Sequence, residues 1–75
     1  MLYVDKIATG NKIKEIIKEK ELRIVDIQDI FGFNTPQAIY KWMRGDILPS
    51  IDNLIILADI FDCKIDEIIV VKREK

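Results

Sequence analysis

The chain of 75 residues has no histidine and one cysteine, Cys63. Without histidine it lacks the side chain that most often serves as a general base or metal ligand near neutral pH. One cysteine among scattered carboxylates has no metal-ligand spacing and can close no internal disulfide, so cytoplasmic residence is the expectation. Glycine and proline are scarce, three and two, and no stretch reads as an interdomain linker. No apolar stretch approaches the ~18–20 residues that span a bilayer. The opening MLYVDKIATG lacks the basic-then-apolar order of a secretory leader. There is no Ser or Cys paired with a base, no glycine-rich phosphate loop and no carboxylate pair in a plausible cleft. Catalysis is therefore not expected, and no cofactor is implied.

What is present is aliphatic residues, isoleucine above all, interleaved with charge. Hydrophobic residues make up 49% and charged residues 33%, a composition that folds and buries a core. The length predicts one small domain, residues 1–75, with its core at about 7–69. Net charge is −1 with a pI near 5.3, unlike the basic balance of most nucleic-acid binders. The distribution is uneven. Residues 1–45 hold eight Lys/Arg against six Asp/Glu, and residues 46–75 hold four against seven.

Residues 22–49, LRIVDIQDIFGFNTPQAIYKWMRGDILP, carry the sharpest pattern. Ile24, Ile27, Ile30 and Phe31 recur at helical spacing, predicting a helix over about 24–31. Gly32 can take the positive φ that stops it. Thr35 followed by Pro36 reads as a helix start, a side-chain oxygen and then a residue with no N–H to satisfy. Ile39 and Trp42 give a third helix, about 36–44, its buried stripe, and Gly45 ends it. A first helix is predicted from about Asp5 or Thr9 to Lys20, with Ile13, Ile16 and Ile17 inward. A fourth follows the cap Ser50, with Leu54, Leu57 and Phe61 inward, and stops at Asp62, a residue that tolerates left-handed backbone. A fifth is predicted over about 65–70. Val70 and Val71 could extend as a strand against Leu2–Val4.

The fragments IQDIFGF, AIYKWMRGDILPSIDNLIILADIF and KIDEII, in this order, resemble the Cro/cI-type helix-turn-helix domain, the xenobiotic-response-element family. The most specific parts are Trp42 to Gly45, Pro49–Ser50 and the Leu54, Leu57–Ala58 helix. The resemblance implies an all-α, compact five-helix domain resembling the lambda repressor. It further implies a sequence-specific DNA-binding regulator, a small stand-alone repressor that docks its third helix in the major groove. Base contacts are then expected from Gln37, Tyr40 and Lys41, since Gln can pair with adenine and Lys with guanine. Phosphate contacts are expected from Arg23, Thr35, Arg44 and Asn53. The competing role for these residues is a solvated helix face, with Arg23 and Arg44 in ordinary surface ion pairs. Trp42 is expected in the core, not stacking on a base, and Cys63 as a small half-buried hydrophobe.

Three positions depart from the family pattern. Ile24 stands where the family has a phosphate-gripping glutamine. The segment between Gly32 and Ile39 is one residue longer than usual. Ile17 and Met43 stand where many members bury an Arg–Glu pair, so both charges are replaced together, which avoids stranding one of them. Partners expected are double-stranded DNA and a second copy, as a weak homodimer or a dimer formed on DNA. Ile68, Ile69, Val70 and Val71, joined by Leu2 and Val4, are the expected adhesive surface. The rival role is an antitoxin or adaptor-type protein-binding module on the same fold.

Overall fold

A computed structural model describes residues 1–74. The terminal charge of the predicted tail, Lys75, lies outside the described residues. The elements in order are β1 (Leu2–Val4), α1 (Lys6–Glu19), α2 (Ile24–Phe31), α3 (Gln37–Arg44), α4 (Ile51–Phe61), a single 3-10 turn (Ile65–Glu67) and β2 (Val71–Arg73). The fold is the expected all-α helix-turn-helix domain, built on four α-helices instead of five.

Each helix boundary has a local cause. The Asp5 carboxylate accepts the Ala8 N–H at 2.9 Å and starts α1. Thr9, the other candidate start, lies inside the helix, and its hydroxyl accepts the Val70 N–H at 3.0 Å. Gly32 and Gly45 close α2 and α3 in the left-handed conformation, φ +73° and +77°. Asp62 closes α4 the same way, at φ 53°. Ser50 Oγ accepts the Asn53 N–H at 3.2 Å and caps α4, with Asp52 in the first turn where the helix dipole favours an anion. α3 begins one residue later than predicted. Pro36 flanks it, and Thr35 Oγ1 reaches the Gln37 N–H only at 3.5 Å, too long for a strong cap.

The core joins all four helices. Ile13, Ile27, Ile39, Leu57, Phe61 and Ile68 are essentially inaccessible, with Ile16, Ile17, Trp42 and Leu54 nearly so. Met43 packs half-buried against the same cluster. α1 and α3 approach unusually closely at Gly10. A Cβ there would stand 2.4 Å from the Trp42 carbonyl oxygen and 2.8 Å from that of Met43. That contact fixes the tilt of α3.

Three expectations need correction. The fifth helix is a 3-10 turn, Ile65–Glu67: the chain stays helical through Ile68, which docks in the core, and reaches the strand at Val71. Its start is held by the Lys64 N–H donating to the Glu67 carboxylate at 2.9 Å. Ile30 is 62% exposed. It lies about a quarter-turn off the stripe of Ile24, Ile27 and Phe31, since successive helical residues advance about 100°. Ile68 is core and Ile69 and Val70 are half-buried, so these three fill the interior, while Val71, Leu2 and Val4 of the expected adhesive surface stay exposed. The terminal strands do pair, antiparallel, Leu2 to Arg73 and Val4 to Val71. Cys63 is half-buried as expected, and burial pushes its thiol pKa up, away from reactivity.

Candidate functional site

α3 is sharply two-sided. Ile39 and Trp42 are buried, while Gln37, Tyr40, Lys41 and Arg44 are exposed. The exposed four fall at i, i+3, i+4 and i+7, which stacks them along one face. They line one shallow depression. The three expected base-contacting residues and one expected phosphate contact thus share a single surface. Thr35 lies two residues ahead of Gln37, exposed at the entry to the same helix. Arg23 and Asn53 lie elsewhere, at the starts of α2 and α4, Arg23 exposed and Asn53 half-buried.

An aromatic cluster holds this face in place. Phe31 and Phe33 stack across Gly32 with ring centroids 4.9 Å apart and planes 10° apart. Both meet Trp42 edge-on, at 5.4 and 6.0 Å. The trio ties the turn after α2 to the inner side of α3, and such contacts stabilise beyond their buried area. The Gln28 side chain adds a bond from Nε2 to the Phe33 carbonyl oxygen at 3.1 Å. Phe33, Gln28 and Gly10 were not anticipated as positioning residues. The Phe–Gly–Phe run was a legible signal for the first of them. Gly10 carried none, since the carbonyls that exclude a side chain come from a helix thirty residues away.

The candidate DNA-contacting cations differ in their commitments. Arg23 makes a two-pronged ion pair with Asp26, both contacts at 3.0 Å. The guanidinium holds the Asp26 carboxyl below the usual carboxylate range, and Asp26 holds Arg23 above its own. Arg44 Nε meets Asp46 Oδ2 at 3.0 Å. Both pairs are largely exposed, side chains 72%/55% and 58%/52% accessible. Pairs of this kind contribute little and exchange readily. Among the described residues no carboxylate pairs with Lys41. The face therefore offers one uncommitted ammonium, one exchangeable guanidinium, an amide and a phenol, a set suited to base edges and phosphates, while Arg23 stands apart from it at the start of α2. Among the described residues, no group of His, Cys, Asp and Glu is arranged to hold a metal ion, and no helix is long and apolar enough to cross a membrane.

Neither the curated proteins nor the solved structures include a match to the chain. A helix-turn-helix family model does match, over residues 13–68. That span runs from the middle of α1 through the 3-10 turn and contains the whole α2–turn–α3 unit with its exposed face. The chain belongs to the Cro/cI-type helix-turn-helix family, whose members bind double-stranded DNA.

Proposed function

We propose that the protein is a sequence-specific, cytoplasmic transcriptional repressor that lays α3 in the major groove and blocks a promoter by occupying it. The observation that carries this is the clustering of Gln37, Tyr40, Lys41 and Arg44 on one exposed face of a helix whose opposite side rests, through Trp42, on Phe31 and Phe33. Gln37 and Lys41 read base edges, and Tyr40 packs on a thymine methyl or the backbone. Arg44, Arg23, Thr35 and Asn53 meet phosphates, the two arginines by trading their carboxylate partners for the DNA backbone. A single module of this kind covers only about 600–1,000 Å² of DNA-facing surface. Two copies on half-sites about one helical turn apart give the contact area that tight specific binding needs.

Selection of bound sites from random duplex DNA, at low and moderate salt, tests the proposal. An enriched motif with two-fold symmetry is the expected result. Lys41→Ala or Gln37→Ala should then cost ~1–3 kcal/mol on that motif and flatten discrimination at particular base pairs. Arg44→Ala should weaken all sequences alike. A selected motif unchanged by Lys41→Ala would overturn the placement of α3.

A second role has one observation in its favour. The outer face of α4 and the loop before it expose Ile47, Ile51 and Ile55, at 48%, 74% and 55%, beside Asp52 and Asp59. An apolar surface with acidic neighbours suits a basic, amphipathic protein partner, as an antitoxin or adaptor would use. No enriched DNA motif at any salt, with Ile51→Lys abolishing capture of a basic protein, would favour that role.

A further inference from the structure

The terminal ribbon has two open edges, and they differ in kind. Leu2 faces Arg73, Tyr3 faces Lys72 and Val4 faces Val71. Met1 and Glu74 exchange both main-chain bonds, at 2.9 and 2.8 Å, and the Asp5 N–H donates to the Val70 carbonyl at 2.8 Å. Hydrogen-bonded pairs recur at every second residue of an antiparallel ladder, so Tyr3 and Lys72 form the bonded pair between those two. Leu2 and Val4 therefore turn their N–H and C=O groups away from β2, toward one open edge. Val71 and Arg73 turn theirs toward the other.

The β2 edge is guarded by charge, with Lys72 at its centre and Arg73 and Glu74 beside it. Charged side chains are the usual protection of an exposed edge. Within β1 itself there is none, and the nearest charges are the Met1 ammonium and the Asp5 carboxylate at its two ends. Leu2, Tyr3 and Val4 are 57%, 45% and 36% exposed and uncharged. A two-stranded ribbon is also marginal by itself and gains from further strands.

We propose that β1 pairs with β1 of a second copy, antiparallel about a two-fold axis at Tyr3, joining two ribbons into one four-stranded sheet. The register is self-consistent. An axis at Tyr3 sets Leu2 opposite Val4 of the second copy, and these are the residues whose main-chain groups are free. Both pairs become hydrogen-bonded. Tyr3 then meets its own counterpart in the non-bonded position, where side chains come closest and an aromatic pair is favourable. The same operation on the other edge would set Lys72 against Lys72, which is unfavourable. Three residues a side fall well short of the ~800 Å² per partner of a standard interface, so the association is weak in free solution. It strengthens wherever two copies are held side by side. The pairing does not depend on DNA binding and is tested without DNA.

Disulfide trapping reads the register directly. In a Cys63→Ser background, Tyr3→Cys and Lys72→Cys are oxidised in a glutathione buffer across a range of protein concentrations. Non-bonded antiparallel pairs stand about 4.5 Å apart at Cα, within disulfide reach. Tyr3→Cys should form linked dimer at least about tenfold faster than Lys72→Cys, at a rate that rises with concentration. A second measurement needs no substitution. Amide resonances of Leu2 and Val4 should shift on raising the protein to about 1 mM, while those of Val71 and Arg73 stay fixed. Equal trapping at the two positions, faster trapping at Lys72, or amide shifts that are absent or confined to β2 would each overturn the proposal.

Discussion

Gly10 and Gly32 occupy opposite situations, and replacing each by alanine separates two costs. At Gly10 the backbone is ordinary helix, but the new methyl would collide with two carbonyl oxygens of α3. Neither carbonyl can swing aside as a side chain would, so α1 must lift from α3, at about 3 kcal/mol or more. At Gly32 nothing lies within 4 Å of the added atom, and only the left-handed φ of +73° resists it, worth roughly 1–2 kcal/mol. Thermal melts of Gly10→Ala and Gly32→Ala should therefore rank in that order, and Gly10→Ala should also weaken DNA binding through the tilt of α3. Ile17 and Met43 offer a second residue-level test. Met43→Glu alone should destabilise by several kcal/mol, because its carboxylate would enter the packed interface without a partner. Adding Ile17→Arg should recover part of that loss. The coupling energy from the two single variants and the double measures whether the positions are neighbours.

At the scale of elements, the first turn of α1 and the ribbon share one carboxylate. Asp5 caps the helix through the Ala8 N–H and pairs with Lys72 Nζ at 3.0 Å. The Ala8 N–H and then the Lys72 ammonium hold its pKa below the ordinary value. A depressed carboxylate pKa stabilises the fold above the unfolded-state value, and that contribution is lost as pH falls through the folded-state value. Acid below pH about 4 should therefore release the ribbon and the first turn of α1 together. Amide exchange at residues 2–8 and 71–73, followed from pH 6 downward, checks this; simultaneous loss of protection in α4 would show a global transition instead. The elements were unevenly legible in sequence. α2 and α4 followed from caps, glycine and spacing alone, because those signals are local. The segment 65–70 is a 3-10 turn and not the expected helix, and the docking of Ile68 into the core, which sequence does not show, decides that outcome. The exposed face of α3 was fully readable, since Ile39 and Trp42 fix which side turns in. Of the aromatic cluster behind it only the Phe–Gly–Phe run is legible, because its contact with Trp42 depends on how the turn folds back.

For the whole molecule, a net charge of −1 sets how the protein approaches DNA. Long-range attraction is nearly absent, so binding must depend on a few local cations. Each phosphate neutralised contributes about 0.9 to the slope of log affinity against log salt. With Arg23, Lys41 and Arg44 as the cations proposed to meet DNA, the slope should be no steeper than about three per protomer. Titrations of a selected duplex at several salt concentrations measure it. A slope of about six would bring Lys6, Lys12, Lys14 and Lys18 of α1 into the interface. Arg44→Ala should lower the slope by about one.

The ribbon is made from the two extremes of the described chain, with Met1 and Glu74 bonded to each other. A mechanical load applied between those residues therefore pulls directly on the last rung of the ladder. The rungs are loaded one after another, as in a zipper, and never together, as in a shear. Each rung resists alone, so tension on the ends should peel the ribbon back to Asp5 and Val70 first. There the Thr9 hydroxyl, holding the Val70 N–H, becomes the first tie between the peeled ends and the helical body. Under stretch the protein should yield in two stages, a soft one at its ends and a firm one at its core.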